Sequence, residues 1–217
     1  MPETDSTPLA ARLRTAESHL SAMDPMMARL IARHGPCRLG ARRRNPFHTL
    51  MTSIVSQQLS SKAADTIQSR VQKLLKANPH FRPAHFINAR HADLRACGLS
   101  NAKAKWMVEI ARRARAGEFS FRKLRRLDDE GAIEALDALP GIGRWSAEMY
   151  LIFALDRLDI FAMDDVGLRR GVNRLYGNAR KLSDRRTLAV TKAWAPYRSV
   201  ASWYLWRLGN EEPANWA

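Results

Sequence analysis

A short glycine-containing segment in the second half of the chain constrains its fold most strongly. Residues 139–145 read Leu-Pro-Gly-Ile-Gly-Arg-Trp and separate two stretches whose apolar residues recur at helical spacing. Gly141 and Gly143 let the backbone turn tightly, and neither carries a side chain that would keep an anion away. The amides that open the next helix face outward, where the helix dipole favours negative charge. The segment predicts two helices joined by a tight hairpin that can bind phosphate, to which Ser146 adds a hydroxyl donor.

Two adjacent acids follow this hairpin after an apolar helical stretch. Asp164 and Asp165 stand just before a further stretch of helical spacing, residues 166–176. An aspartate in this place normally caps the helix, and alone the pair would be explained by folding. A cap needs only one carboxylate, however, and a second acid near bound phosphates weakens their binding. The pair therefore favours one capping and one catalytic carboxylate.

The rest of the sequence predicts helices and requires no strand. Apolar residues recur at helical intervals through residues 50–75 and again through 101–115, where Gly117 is placed to end the helix. Asp128 opens a further helix, which Pro140 terminates. The apolar fraction of 46% is sufficient for a core. The expected fold class is all-α.

The charge of the chain favours a polyanionic partner. Lysine and arginine total 36 against 21 acids, a formal charge of +15 in 217 residues. The visible clusters are Arg42-Arg43-Arg44, residues 122–126 and Arg169-Arg170. Because each neutralised phosphate releases counterions, such a surplus suits nucleic acid. RNA or an anionic membrane would satisfy the charge equally well, so charge ranks below the hairpin.

Cysteine, histidine and terminal patterns indicate neither a metal nor a membrane. Cys37 and Cys97 lie sixty positions apart, and the six histidines show no ligand spacing, so no cofactor and no catalytic metal are expected. Residues 1–14 lack the apolar core of a signal peptide, and no run approaches membrane-spanning length. We expect a cytoplasmic protein, nucleoid-associated if bacterial, with no membrane partner.

Together, the hairpin and the acid pair resemble those of the helix-hairpin-helix DNA glycosylases, of the DNA-3-methyladenine glycosylase II type. The similarity spans about residues 45–207 and includes two further blocks, residues 54–64 and 194–201. The resemblance implies a two-lobed helical fold with the active cleft between the lobes. One lobe is expected at 46–157 and carries the hairpin, and the other, discontinuous lobe comprises 1–45 plus 158–217. By position the catalytic aspartate is Asp165, and Asp164 becomes the cap.

Two departures from the wider superfamily narrow the expected chemistry. Members that also cut the DNA backbone carry a lysine where this chain has Trp145, and that amine forms a Schiff base with the sugar. Relatives with an iron–sulfur cluster use four cysteines, whereas this chain has two. The resemblance therefore implies a monofunctional enzyme that hydrolyses the glycosidic bond of N-alkylated bases, such as 3-methyladenine and 7-methylguanine, and leaves an abasic site.

The resemblance also implies a base pocket, formed by Trp145, Met149, Trp203 and Trp206. Alkylated purines are cationic, so the electron-rich face of Trp145 attracts them through cation–π contact and stacking. Ordinary core packing is the alternative interpretation of Trp145, and it is a stronger alternative for Trp203 and Trp206, whose spacing suits a core-facing helix.

A loop at residues 57–59 is the expected site of DNA intercalation. Gln57, Gln58 and Leu59 lie between a helical pattern and Ser60-Ser61, which are suited to cap the next helix. By resemblance the residue that fills the gap left by an extruded base is Gln58 or Leu59. Without the resemblance, the loop would be a capped turn with incidental glutamines.

The resemblance bears on two further features of the hairpin unit. The family hairpin sometimes binds a monovalent cation through backbone carbonyls, which by position are those of Asp137, Leu139 and Ile142. Lys103 matches a common residue of the family, but we expect it to face solvent.

Three functions compete at this stage. The first is an enzyme that excises alkylated bases from duplex DNA, acting as a monomer. The second is a non-catalytic module for damaged DNA on the same scaffold, in which the acids only cap. The third is an RNA-binding or assembly protein that uses the basic faces, against which the hairpin and Asp165 both argue.

Overall fold

Helices make up all of the regular structure in the described part of the chain. The computed structural model describes residues 8–40, 45–177 and 180–209, apart from the side chain of Ser61, and over these residues it contains no β-strand. The all-α prediction is therefore confirmed. The cluster Arg42-Arg43-Arg44 lies outside the described residues. In chain order the helices are α1 (Leu9–Met23), α2 (Pro25–His34), α3 (Pro46–Ser56), α4 (Ser61–Leu74), α5 (Pro83–Ile87), α6 (His91–Ala96), α7 (Asn101–Ala116), α8 (Phe121–Leu124), α9 (Asp129–Asp137), α10 (Arg144–Ala154), α11 (Val166–Tyr176), α12 (Asp184–Lys192) and α13 (Arg198–Gly209).

The chain divides into two compact units. Arg42–Tyr150 forms one, here called the hairpin unit, and Met1–Ala41 with Leu151–Ala217 forms the other, here called the aspartate unit. The boundary after Tyr150 falls within α10. The functional division at 46–157 that the resemblance implies stays a prediction.

In the hairpin unit, side-chain caps define where the principal helices begin. Asn45 accepts from the backbone N–H of His48 at the start of α3, and Ser100 accepts from that of Lys103 at the start of α7. Asp128 caps α9 in the same way. Helix α7 ends at Gly117, whose left-handed φ of 79° is the expected conformation for a glycine that terminates a helix. The predicted helix at 101–115 and its terminating glycine are thus confirmed.

Apolar faces of these helices form the core of the hairpin unit. Helix α3 packs against α4 and α7, while α7 also contacts α5 and α6. Each fully buried large side chain contributes roughly 1.5–3 kcal/mol of transfer free energy. The core includes Leu50, Met51, Ile54, Phe81, Phe86, Met107, Ile110 and Leu136.

The aspartate unit is organised around a buried carboxylate on the loop between α1 and α2. Asp24 is 8% exposed, and its Oδ1 accepts from the backbone amides of Met26 and Met27, which open α2. Its Oδ2 accepts from the Tyr176 hydroxyl at 2.7 Å and from the Trp194 indole at 2.9 Å. One side chain therefore joins α2 to the end of α11 and to the segment after α12.

The segment that leads to Asp165 is held by the start of α13. The Arg198 guanidinium pairs with the Asp159 carboxylate at 2.7 and 2.9 Å. The Ser199 backbone N–H donates to the Leu158 carbonyl at 2.9 Å, and the Ile160 N–H donates to the Ser199 hydroxyl at 2.9 Å. Helix α13 also packs along α11. Both sides of Asp165 are consequently anchored to α13.

Candidate active site

Asp165 is the N-cap of α11. Its Oδ1 accepts from the backbone N–H of Leu168 at 2.8 Å and from the Trp206 indole N–H at 3.0 Å. The side chain is largely buried, with 9% of the residue exposed. Asp164 was expected to be the cap, and this expectation is wrong: Asp164 is exposed, and Asp165 has the extended backbone from which a carboxylate reaches the third helical amide.

Trp206, one of the pocket candidates, is in contact with Asp165. It lies half-buried on α13, and its ring stacks on Phe153 with centroids 5.4 Å apart and an interplanar angle of 30°. A Cβ at Gly167 would lie 3.1 Å from both the Asp165 Oδ1 and the Trp206 ring. Glycine at this position therefore leaves room for the contact between carboxylate and indole. The two donors hold the carboxylate in a single orientation.

The other aromatic candidate of the aspartate unit, Trp203, has different neighbours. Its ring meets Tyr204 edge-on at 4.9 Å, and the Arg207 guanidinium lies 5.1 Å from its centroid. The Arg207 guanidinium therefore already covers one face of the Trp203 ring. Its role in a base pocket stays a prediction.

Trp145 and Met149 both lie on α10, in the hairpin unit. Trp145 is in the first turn and is 45% exposed, which is unusual for a side chain of this size. Met149, one turn later, is half-buried. The alternative interpretation of Trp145 as a core residue does not fit this exposure.

The hairpin contains a reverse turn, residues 139–142, here called the hairpin turn. The Ile142 N–H donates to the Leu139 carbonyl at 3.2 Å, and Gly141 has a φ of 79°. Proline at the second position and a left-handed glycine at the third are typical of a type II turn. A Cβ at Gly141 would lie 2.2 Å from the Trp106 ring. Backbone conformation and packing on Trp106 together therefore require glycine at residue 141.

Gly143 differs from Gly141. Its φ is not in the left-handed region, and a Cβ at this position would meet no atom within 4 Å. The residue is exposed and directly precedes α10, whose first amides have no partner within the helix. Ser146, half-buried, lies in the same first turn. Tight packing within the chain therefore does not require glycine at residue 143.

Arg144, at the start of α10, is already paired with acids. Its guanidinium contacts both carboxylate oxygens of Glu130, at 2.6 and 2.8 Å, and Glu148 lies 3.3 Å away. The hydrogen bonds to Arg144 lower the pKa of Glu130 below its ordinary value. Two acids therefore compensate the charge of this guanidinium.

A second reverse turn, residues 56–59, lies at the predicted intercalation loop and is here called the loop turn. The Leu59 N–H donates to the Ser56 carbonyl at 3.1 Å. Gln57 has φ −50° and ψ 130°, and Gln58 has a φ of 56°. These angles also indicate a type II turn, but with glutamine at the position that normally requires glycine. Gln58 is exposed, as is Leu59, at 40%.

Gln57 does not face the solvent as a loop glutamine would. Its side-chain Nε2 donates to the Gly141 carbonyl of the hairpin turn at 2.8 Å. The structure thus brings two of the predicted site residues, Gln57 and Gly141, into direct contact. As predicted, Ser60 caps α4, accepting from the Ala63 N–H.

Lys103 was expected to face solvent, and this expectation is wrong. Its ammonium donates to the carbonyls of Val55 and Gln57, at 2.8 and 2.7 Å. These groups belong to the end of α3, where carbonyls lack helical partners and a cation is favoured. Burial lowers the pKa of Lys103 from its ordinary value. The contact joins residues nearly fifty positions apart, so helical periodicity could not reveal it; the match to the family was the only signal.

The proposed cation ligands are the backbone carbonyls of Asp137, at the end of α9, and of Leu139 and Ile142 in the hairpin turn. The Leu139 carbonyl already accepts from the Ile142 N–H, and its second lone pair leaves room for a cation. Among the described residues, no group of three or more His, Cys, Asp or Glu side chains has the geometry of a metal site. The monovalent cation stays a prediction.

An open groove of about 530 Å³ borders the start of α11. Its lining includes Asp164, Val166, Arg169 and Lys181. Arg169 pairs with Asp184.

Within the described parts of the chain, no helix is both long and apolar enough to cross a membrane.

Comparison with known proteins identifies a family and several relatives that are similar to this chain. The model of the HhH-GPD superfamily base excision DNA repair proteins matches residues 51–196. DNA-3-methyladenine glycosylase 1 of Schizosaccharomyces pombe is 33% identical over 202 residues, which are 92% of this chain and 89% of that protein. An alkylbase DNA glycosidase-like protein of the same yeast is 31% identical over 198 residues, covering 90% of this chain and 93% of its own length.

Solved structures are also similar. The DNA-3-methyladenine glycosidase of Bacillus halodurans superposes with a TM-score of 0.82 at 36% identity, covering 90% of this chain and 89% of that one. The S. pombe 3-methyladenine DNA glycosylase, solved in complex with abasic DNA, gives a TM-score of 0.75 at 34% identity and covers 89% of this chain and 95% of that one. This chain belongs to the HhH-GPD superfamily of base excision DNA repair proteins.

Proposed function

We propose that this protein is a monofunctional DNA glycosylase that excises N-alkylated bases of the 3-methyladenine and 7-methylguanine class from duplex DNA. It hydrolyses the N-glycosidic bond of a flipped nucleotide and leaves an abasic site for base excision repair. The names of the relatives, and the abasic DNA bound by the similar yeast enzyme, support this proposal. The single observation that carries it is the oriented carboxylate of Asp165.

Asp165 is the catalytic residue in this proposal. Positive charge on an alkylated purine weakens its bond to the sugar, so the leaving base needs no proton from the enzyme. Positive charge instead develops on the deoxyribose as the bond breaks. A fixed carboxylate stabilises that charge and orients the attacking water, because its donors are already arranged before the reaction.

Trp145 supports both the monofunctional assignment and the choice of lesion. An indole cannot form the Schiff base through which a lysine at this position cleaves the strand. Its exposed face can stack on a cationic base, and cation–π attraction favours alkylated over ordinary purines. In the aspartate unit, Trp206 is the aromatic side chain that contacts the proposed catalytic group.

The two turns of the hairpin unit supply the contacts with DNA. Gly143 and the first amides of α10 receive a backbone phosphate, with Ser146 as an additional donor. Gln58 fills the gap in the base stack; we choose it over Leu59 because it stands exposed in a strained left-handed conformation, which is typical of functional positions. Because this chain supplies every residue named here, we propose that it acts as a monomer.

Base release from methylated duplex DNA tests the proposal. The protein is incubated with a panel of duplexes carrying defined alkylated bases, and free base is separated by chromatography. The expected result is release of 3-methyladenine without strand cleavage. Asp165→Asn should slow release by ~10² or more while binding to abasic DNA persists, because it removes only the charge. Asparagine is also a good N-cap and can accept from Leu168 and Trp206.

The neighbouring acid provides the matched control. Asp164→Asn removes the same charge from an exposed side chain one residue away and should leave release unchanged. Absence of free base with the unchanged protein, together with selective binding of damaged duplexes, would instead identify the non-catalytic binding module. Undiminished release by Asp165→Asn would refute the catalytic assignment.

A further inference from the structure

The loop turn and the hairpin turn are joined by a direct hydrogen bond. Gln57, the second residue of the loop turn, donates from Nε2 to the carbonyl of Gly141, the third residue of the hairpin turn, at 2.8 Å. The two residues lie 84 positions apart. Gln57 directly precedes Gln58, the proposed intercalating residue, and Gly141 lies two residues before Gly143, the proposed phosphate contact.

Helix α7 contacts both turns. The Lys103 ammonium in its first turn holds the carbonyls of Val55 and Gln57. One turn later Trp106 lies under the hairpin turn, where a Cβ at Gly141 would be 2.2 Å from its ring. The backbone of Gln57 is therefore fixed by Lys103 and its side chain by Gly141, so this glutamine has little freedom to move alone.

We propose that Gln57 and Lys103 are positioning residues that clamp the loop turn onto the hairpin turn. The intercalating side chain and the phosphate anchor then reach the duplex in a fixed register. Fixing both contacts in advance avoids the entropy of ordering a mobile loop while a base is being extruded. The inference rests on the proposed function, since it assigns the two residues a part in base flipping.

The experiment compares base release from two duplexes under single-turnover conditions with saturating protein. In one duplex the alkylated base is paired, and in the other the same base lies in a one-nucleotide bulge. An unpaired base is extruded at little cost, so release from the bulge needs the intercalating residue far less. A defect in positioning should therefore appear on the paired lesion alone.

Gln57→Met is the principal variant, because methionine keeps the length of the side chain and removes the donor without adding charge. Loss of one hydrogen bond predicts about tenfold slower release from the paired lesion and less than about twofold slower release from the bulge. The matched control is Gln72→Met, because Gln72 donates the same kind of bond to the Pro79 carbonyl, at 3.1 Å, elsewhere in the hairpin unit. Gln72→Met should leave both rates unchanged.

Lys103 is tested by the same pair of substrates. Lys103→Met should show the same selective loss, and Lys103→Arg, which keeps a cationic donor, should restore much of the rate on the paired lesion. Lys105→Met serves as the control, because Lys105 is an exposed lysine on the same helix. Fluorescence of 2-aminopurine beside the lesion reports base flipping directly and should rise more slowly in both clamp variants.

The outcomes separate this inference from the proposed function. The clamp is overturned if Gln57→Met and Lys103→Met both slow release equally on paired and bulged lesions, or if neither changes either rate. In both cases release by the unchanged protein still supports the glycosylase. If the unchanged protein releases no base from the paired duplex and none from the bulged duplex, both the proposed function and the clamp are overturned.

Discussion

Replacing Gln58 by glycine tests whether the strain in the loop turn is maintained for DNA binding. Gln58 has a φ of 56°, a conformation that costs a residue with a side chain ~1–2 kcal/mol. Glycine adopts it freely but loses ~0.5–1 kcal/mol more backbone entropy on folding. Gln58→Gly should therefore raise the free energy of unfolding by roughly 0.5–1 kcal/mol. For a chain of this length that is an increase in Tm of about 1–4 °C.

Gln58→Ala is the control that isolates the backbone. Both substitutions remove an exposed side chain, but alanine keeps the cost of the left-handed conformation. Thermal and urea unfolding, followed by circular dichroism, should place the glycine variant above the alanine variant by roughly 0.5–1 kcal/mol. An alanine variant as stable as the glycine variant would refute the assignment of strain.

The same two variants should both be poor at releasing a paired lesion. An intercalating side chain that offsets only ~1.4 kcal/mol of the few kcal/mol needed to unstack a base changes the rate about tenfold. We therefore expect about tenfold slower release in both, although one is more stable than the unchanged protein. Full activity in the glycine variant would show that Gln58 does not fill the base stack.

Substitutions at three further positions test other parts of the structure. Asp24→Ala should lower the free energy of unfolding by at least ~3 kcal/mol in urea titrations, because it removes a cap and the acceptor of the buried Trp194 indole and the half-buried Tyr176 hydroxyl, while Asp24→Asn should lose less. Burial and the neighbouring His80 lower the pKa of His48 from its ordinary 6.5. The unfolded chain therefore binds a proton that the folded state resists, so stability should fall as pH drops below ~6.5 and His48→Gln should flatten that dependence. Protonation also competes with the Phe81 N–H for the His48 Nδ1. Gly143→Ala should leave Tm unchanged, because its Cβ meets nothing, yet weaken binding to abasic DNA in titrations at fixed salt.

Local sequence patterns predicted much of the fold. The caps Ser60 and Asp128 and the helix end at Gly117 follow from interactions within a few residues, and the structure contains all of them. The hairpin turn was predictable for the same reason, because its proline and glycine encode a type II turn directly.

Features that depend on distant contacts were not predictable in this way. The loop turn has glutamine where its geometry calls for glycine, so no turn signal was present. Lys103 contacts carbonyls that neighbour it only in the folded chain. The cap of α11 was assigned to the wrong member of the acid pair because the choice depends on the backbone angles of Asp165, which α13 helps to fix.

Three residues of the hairpin unit have identities that its own stability does not require. A Cβ at Gly143 would meet nothing within 4 Å, Gln58 occupies a backbone conformation that suits glycine, and Trp145 is 45% exposed. Stability alone would favour glycine at residue 58 and a less exposed apolar surface at residue 145, and it does not select glycine at residue 143. Natural sequences depart from local preference chiefly where another molecule binds. The proposed function gives the three departures one common explanation, in which a phosphate of the DNA meets Gly143, its base stack receives Gln58 and its extruded base faces Trp145.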